Sequence, residues 1–406
     1  MKKNIPFFSL QRQYENMKEK LNLVIKDVLE SQKFIGGNFV ESFEKKFSCY
    51  TKTTHAISCN SGTNALWLAL KALDIKQNDI VLTTPFSFIS SSSEIVSLGA
   101  HPVFVDIDTK TFNIDIAKIE TWIEKNTLYK ENRLIEKRTG HPISGIIPVD
   151  IFGQCADYKK IKLIAEKYNL WIIQDSCQSI GAVDSQGKKA GTQANISCFS
   201  FYPTKNLGAF GDGGCCTTNN QFLAEKIIQL RNHGRKTHYN YTMYGINSRL
   251  DGIQAAVLNE KLNFIDDWND KRRSIAKIYN EKLSNIDFIQ IPESNNGKHV
   301  FHQYCINIKS NCLQRDEFIY QLNKMGIGTN IYYPKALTQI EFLNKDKRLK
   351  NNCPIAQNLT QTILALPIWP ELKNEEVEYV CSCIKKVAKK FKIKQTGIKK
   401  ETIIRL

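Results

Sequence analysis

Between His55 and Thr218, short apolar runs alternate with segments whose apolar residues recur every three to four positions. The runs are His55–Cys59, Asp79–Thr84, Pro102–Val105, Ser144–Val149, Leu170–Ile173, Ile196–Phe201 and Cys215–Thr218. The helical patterns between them include Ser61–Leu73, Ile114–Lys125 and Tyr158–Tyr168. Continuously apolar runs belong to strands covered on both faces, and strands separated by helices pair in parallel. This confines the chain to an α/β fold with a central, mostly parallel sheet flanked by helices. Ligands in such folds bind at the carboxyl ends of the strands.

The flanks extend this frame. Leu21, Val24, Ile25, Val28 and Leu29 mark a helix, Gly36–Gly37 breaks it, and Val40, Phe43 and Phe47 mark a second one. After Gly245 the pattern shifts to a helix Gly252–Leu262, a long helix Trp268–Leu283, a strand Gln303–Ile308, a helix Arg315–Lys324 and a strand Thr329–Tyr332. A last amphipathic helix presents Val377, Val380, Cys381, Ile384 and Val387 on one face. The expected division is a large domain over 1–246, a smaller C-terminal α+β domain over 247–388, and a basic tail over 389–406. Asn126–Pro142 reads as a surface insertion and Tyr239–Tyr244 as an aromatic loop.

With 42% hydrophobic and 24% charged residues, the 406-residue chain excludes wholesale disorder. No apolar run reaches membrane-spanning length, and the start (MKKNIPFFSL) lacks the apolar stretch of a secretory signal, so a cytoplasmic protein without a membrane span is expected. The twelve cysteines are scattered, without CxxC spacing or a His/Cys cluster; they read as small buried hydrophobes, and no metal site is expected. The net charge of +16 is uneven, because residues 385–406 hold eight lysines and one arginine against one glutamate, half of the total. The mildly basic body suits an anionic small molecule. The tail reads as a solvated end, with nucleic acid or an anionic membrane surface as its other possible contacts.

Four local features carry chemistry. Lys205 follows the run ending at Phe201 and precedes glycines at 208, 211, 213 and 214. It is either a surface cation or an amine whose desolvation frees its lone pair for Schiff-base chemistry. Ser61-Gly62-Thr63 opens a helix and is either an ordinary N-cap or a small phosphate site. Asp175, at the lip of a buried strand, either caps a helix or pairs with a cation such as a protonated ring nitrogen. Phe86 and Phe88, beyond another strand, either fill core or stack on a flat ligand.

In order and spacing these features resemble the DegT-type sugar-nucleotide aminotransferases, pyridoxal-phosphate enzymes of the aspartate aminotransferase fold. The resemblance runs from Ile5 to Val387 through FIGG (34–37), SGTNAL (61–66), TPFSF (84–88), QDSCQSIGA (174–182), FSFYPTKNLGAFGDGG (199–214), RNHGR (231–235) and GINSRLDGIQAAVL (245–258). It implies pyridoxal 5'-phosphate carried by Lys205 as a Schiff base, with Asp175 holding the pyridine nitrogen protonated and Gln178 touching the ring hydroxyl. It further implies Phe88 stacked on the ring, and Gly62, Thr63 and Ser200 on the phosphate. Asn247 of a neighbouring subunit would reach the same phosphate, so the resemblance also implies a homodimer with shared active sites. Glutamate, leaving as 2-oxoglutarate, would donate the amino group to a nucleotide-linked keto sugar, UDP- or dTDP-linked, in amino-sugar and lipopolysaccharide O-antigen biosynthesis.

The Asn247–Asp251 run, GQCAD (153–157) and HQY (302–304) look most like members that aminate the 3-keto position, such as those acting on UDP-linked 3-keto N-acetylglucosaminuronate; a 4-keto substrate is the alternative. Arg249, His302 and Tyr332 are candidates for substrate contact, although a core histidine fits His302 equally well. Tyr332 stands where the family commonly has histidine, the Asn126–Pro142 insertion is longer than usual, and the tail beyond Val387 has no counterpart. Dehydratase members replace the lysine with histidine, so Lys205 argues against that reaction. A regulatory or nucleic-acid-binding protein using the tail is a further alternative, but no basic recognition helix supports it.

Overall fold

The seven apolar runs meet in one sheet because none of them has a solvent-tolerant face. The computed structural model describes residues 3–294, 297–309 and 312–403, the side chains at 312, 313 and 391–403 excepted. Its strands are β1 (His55–Cys59), β2 (Ile80–Thr83), β3 (His101–Phe104), β4 (Thr127–Lys130), β5 (Arg133–Glu136), β6 (Pro142–Ile147), β7 (Trp171–Asp175), β8 (Ile196–Ser200) and β9 (Gly214–Thr218). The order is β1-β9-β8-β7-β6-β2-β3. Pairs from β8 to β3 are parallel, while β9 pairs antiparallel with both β8 and β1. Of these seven strands β9 alone is reversed, so the central sheet is mixed but mostly parallel.

Helices α1 (Gln11–Ser31), α2 (Asn38–Thr51), α3 (Gly62–Ala72), α4 (Ser90–Ser97), α5 (Ile116–Asn126), α6 (Tyr158–Tyr168) and α7 (Gln221–Leu230) surround the sheet. Adjacent residues of β7 show both faces at work. Ile172 packs with Ile119, Trp122 and Ile161 from α5 and α6, whereas Ile173 packs with Leu66, Leu70 and Ile227 from α3 and α7. Above β8, Phe47 meets Phe199 and Phe201 edge-on at centroid distances of 5.1 and 5.3 Å, which locks α2 over the strand that leads to Lys205.

The chain continues through the short hairpin β10 (Arg235–Thr237) and β11 (Asn240–Tyr241), then α8 (Gly252–Lys261) and α9 (Ile265–Leu283). An antiparallel sheet follows, of β12 (Ile289–Gln290), β13 (Tyr304–Ile308) and β14 (Ile363–Leu366), with α10 (Cys312–Lys324), α11 (Pro354–Thr362) and α12 (Asn374–Ile403). Its core joins Ile306, Phe318 and Leu364 to Val377, Val380, Cys381, Ile384 and Val387, the face expected of the last helix, and Ile5 packs into the same core. The side chains of the basic tail from 391 onward, and residues 404–406, lie outside the described residues.

Three local expectations change. The insertion forms the hairpin β4–β5, which pairs Leu134 with Ile143 at the amino end of β6, far from the strand carboxyl ends. Thr329–Tyr332 is not a strand, for Asn330 makes one bridge to Ala365 before the chain turns away. The sequence pattern did not announce α11 or β14. The start of α11 is instead fixed by a distant residue: buried Asp106 accepts the N–H groups of Ile355 and Ala356, both at 2.9 Å. Asp106→Ala should therefore cost about 1–2 kcal/mol, the usual loss of an N-cap, read as a lower midpoint in urea denaturation.

Candidate active site

Every parallel strand delivers its carboxyl end to one edge of the sheet, and there a cavity of about 490 Å³ opens. Its wall is formed by the start of α3 beyond β1, Ser87 and Phe88 beyond β2, Asp175, Cys177 and Gln178 at the end of β7, and Ser200 to Asp212 beyond β8. His302, Gln303, Tyr332 and Tyr333 close it from the C-terminal half.

Lys205 sits in a loop pinned by Lys205 N–H to Tyr202 O (2.8 Å) and Ala209 N–H to Phe201 O (2.8 Å). The loop closes tightly enough to require glycine at 208, where a Cβ would lie 2.3 Å from Pro203 O. Among the described residues no hydrogen bond or ion pair holds the Lys205 amine. Burial lowers its pKa, while Cys177 and Asp175 pull the other way. Asp175 is buried, and desolvation raises its pKa against the lowering effect of Cys177, whose N–H donates to Oδ1 at 3.1 Å, and of Lys205. The site thus holds an amine biased toward its free base and a carboxyl that would gain from a cationic partner.

Gln178 Oε1 accepts the Phe152 N–H at 2.8 Å. That bond assigns the oxygen end, so the amide NH₂ donates to the Tyr333 hydroxyl at 3.1 Å and presents a donor at the cavity. At the start of α3, Ser61 caps Asn64 N–H at 3.1 Å, which leaves the Gly62 and Thr63 amides free among the described residues. A Cβ at Gly62 would lie 2.6 Å from Ser200 Cβ, so these free amides, the Thr63 hydroxyl and Ser200 form one close-packed anion cradle. Of the two phenylalanines, Phe86 is core, whereas Phe88 is 58% exposed on the cavity wall.

His302 also lines the cavity. Asn206 directs its NH₂ to Asn269 and Val300, so its oxygen faces His302 Nδ1 at 3.2 Å. Nδ1 is therefore the donor, and Nε2 is left as an acceptor. Burial, Lys205 and Arg272 hold this histidine well below its ordinary range. Tyr332 lines the cavity, its hydroxyl accepting from Asn330 at 3.1 Å, and at the same wall Gln303 Oε1 is buried without a hydrogen-bond partner among the described residues.

The structure thus brings together Gly62, Thr63, Phe88, Asp175, Gln178, Ser200, Lys205, His302 and Tyr332. It does not bring Asn247 or Arg249 to this cavity. Asn247 is exposed and bridges Asn232, while the Arg249 guanidinium turns to Asn232 Oδ1 at 3.3 Å. Cys177, Gln303 and Tyr333 were not expected from sequence, although Cys177 lies inside the Gln174–Gln178 motif.

A half-buried amine, a buried carboxyl and an anion cradle line one cavity, groups that would suit a cofactor with an aldehyde, a basic ring nitrogen and a phosphate. The comparisons agree. Residues 15–385 match the DegT/DnrJ/EryC1/StrS aminotransferase family, and the chain belongs to it. It is 37% identical to "Pleiotropic regulatory protein" of Geobacillus stearothermophilus, over 96% of this chain and 99% of the other. It is 35% identical to the UDP-N-acetyl-3-dehydro-alpha-D-glucosamine 3-aminotransferase of Acidithiobacillus ferrooxidans, over 94% and 97%. Among solved structures, ntda from Bacillus subtilis with bound cofactor PMP superposes with a TM-score of 0.84 at 30% identity, over 95% and 85%. The cofactor is pyridoxal 5'-phosphate, and among the described residues no helix is long and apolar enough to cross a membrane.

Behind the site, Asp150 is fully buried, and burial raises its pKa from 3.8 to about 6 despite bonds from Ala156 N–H, Tyr158, Gln174 and Ser179. A carboxyl whose folded pKa lies above its unfolded one contributes stability below the unfolded value and loses it as pH rises through the folded value. The stability of the protein relative to its Asp150→Asn variant should therefore fall by roughly 2 kcal/mol between pH 4 and pH 7. Urea denaturation of both proteins at the two pH values checks this.

Proposed function

We propose that the protein transfers an amino group from glutamate to the 3-keto position of a nucleotide-diphosphate-linked sugar, on cofactor held by the residues above. The observation that carries this is the juxtaposition of Lys205, Asp175 and the Gly62–Thr63–Ser200 cradle around one cavity. When bound, pyridoxal phosphate supplies an electron-withdrawing ring that stabilises negative charge on the carbon losing its proton. Lys205 is the covalent anchor for the cofactor and, when released, the base and acid that moves that proton. Asp175 would keep the ring nitrogen protonated, Gln178 would donate to the ring oxygen, Phe88 would stack on the ring face, and the cradle would hold the phosphate.

The 3-keto reading draws on the Acidithiobacillus relative, whose name specifies a 3-aminotransferase. His302 Nε2, Gln303 Oε1 and Tyr332 supply the polar wall that a hydroxyl-bearing sugar needs. The amino sugar formed would serve surface-polysaccharide or O-antigen assembly.

Purified protein with cofactor should show a visible absorption band that Lys205→Ala abolishes, with turnover falling by at least about 10²–10⁴-fold. After glutamate converts the protein to its amine form, a panel of UDP- and dTDP-linked 3-keto and 4-keto sugars identifies the acceptor. A 4-keto sugar that alone restores the band would move the assignment to the other position. A protein that stays colourless with cofactor would refute the reading.

We further propose a homodimer in which Asn247 completes the phosphate site of the other subunit. Asn247 is exposed, and a few residues on, exposed apolar Phe34 and Ile35 meet the start of α8 through Gly252 N–H to Phe34 O (2.7 Å) and the Ile35–Asp251 bridge. Lys205→Ala and Asn247→Glu proteins, each impaired alone, should regain activity when co-expressed, because a mixed dimer carries one intact site. Continued inactivity of a mixed dimer verified by mass would exclude the sharing.

A further inference from the structure

Three segments distant in sequence meet at the amino end of the sheet, opposite the cofactor cavity. His101 opens β3, His141 immediately precedes β6, and Asp346 lies between the turns at Glu341–Asn344 and Lys347–Leu349. One ring nitrogen from each histidine and one Asp346 carboxylate oxygen lie within 4.8 Å of one another. The two imidazoles stack with centroids 5.4 Å apart and planes inclined by 3°. His101 Nε2 is buried and, among the described residues, has no hydrogen-bond partner. A ring nitrogen in that condition has given up water for nothing, a cost that a ligand on the atom would remove. A small cavity of about 10 Å³ adjoins His101 and Asp346.

We propose that His101, His141 and Asp346 bind a first-row divalent cation, zinc in the first instance, with water completing the shell. Two imidazoles and a carboxylate are donors that zinc accepts, and three protein ligands leave one position open. Metal–ligand bonds of about 2.0–2.2 Å place tetrahedral ligand atoms roughly 3.3 Å apart, so the three groups must draw inward by about an ångström. His141 and Asp346 can do so, since both lie outside strands and are only partly buried. Arg348 donates to Asp346 Oδ1 from Nε at 2.9 Å and to Oδ2 from Nη2 at 2.7 Å. Oδ2 takes that single bond and keeps a lone pair for a metal. The arginine charge opposes the cation, which makes the site exchangeable rather than permanent. A bound ion would pin the turns flanking Asp346 to the edge strand β3.

Calorimetric titration of the chelator-treated full chain with zinc chloride tests this. One equivalent should bind at this site, with affinity reduced at least about tenfold in His141→Ala and in Asp346→Ala. It should be unchanged in His238→Ala, whose ring is exposed on the β10–β11 hairpin. Circular dichroism selects the variants that fold, and either one suffices. Cobalt(II) in place of zinc should give d–d bands without a sulfur-to-metal band, because no thiolate contributes. No binding by the parent protein, binding that survives either substitution, or a sulfur-to-cobalt band would overturn the proposal.

Discussion

Placing Lys205, half-buried, and Asp175, buried, at the sheet's carboxyl edge is the constraint on which the rest of the molecule depends. Burial alone pushes the ammonium down and the carboxyl up, so each is biased toward its neutral form before any ligand arrives. Neither group is clamped by a salt bridge to the other, and the frame must be rigid without their help. Much of that rigidity comes from Asp150, which never faces the cavity. Its carboxylate gathers Ala156, Tyr158, Gln174 and Ser179, bracketing the turn that carries Asp175 and Gln178. A buried polar network with every member bonded fixes one geometry; a partly bonded one would not.

The reversed strand β9 solves a second problem. If β8 were followed by a helical crossover, a helix start would cover its carboxyl end, as α3 follows β1. Because β9 returns antiparallel, the connection is a loop instead, drawn in by Phe201 N–H to Gly213 O at 2.7 Å. Lys205 is held on that loop over the sheet edge, facing the α3 amides from across the cavity. The aromatic cluster of Phe43, Phe47, Phe199 and Phe201 braces the loop from beneath, so an apolar contact sets where the amine stands.

The central sheet was legible because a strand buried on both faces has no freedom to hide its pattern, and Tyr158–Tyr168 was read to the residue. The residues gathered at the strand ends were legible for another reason: they belong to short local motifs, each at the end of a strand. What escaped lacks local periodicity. The start of α11 is set by Asp106, some 250 positions away in the chain. Thr329–Tyr332 looks like a strand, but it leaves the sheet after Asn330 so that Tyr332 and Tyr333 can reach the cavity. Asn247 and Arg249 were placed by motif alone, and motif order carries no information about which cavity, or whose, a side chain reaches.

The same distinction separates the two ends of the molecule. One side of the cavity is built by segments that leave β1, β2, β7 and β8, so its geometry is inherited from the sheet. The outer wall comes from His302 and Gln303, just before β13, and from Tyr332 and Tyr333, on irregular backbone between α10 and α11. Irregular backbone can take a different side chain at Tyr332 without disturbing a strand register. Its polar groups are nevertheless specific, since Asn206 forces one tautomer on His302 and so decides that Nε2 accepts rather than donates. One wall of the cavity is therefore set by the sheet, and the other by backbone that can change without moving a strand.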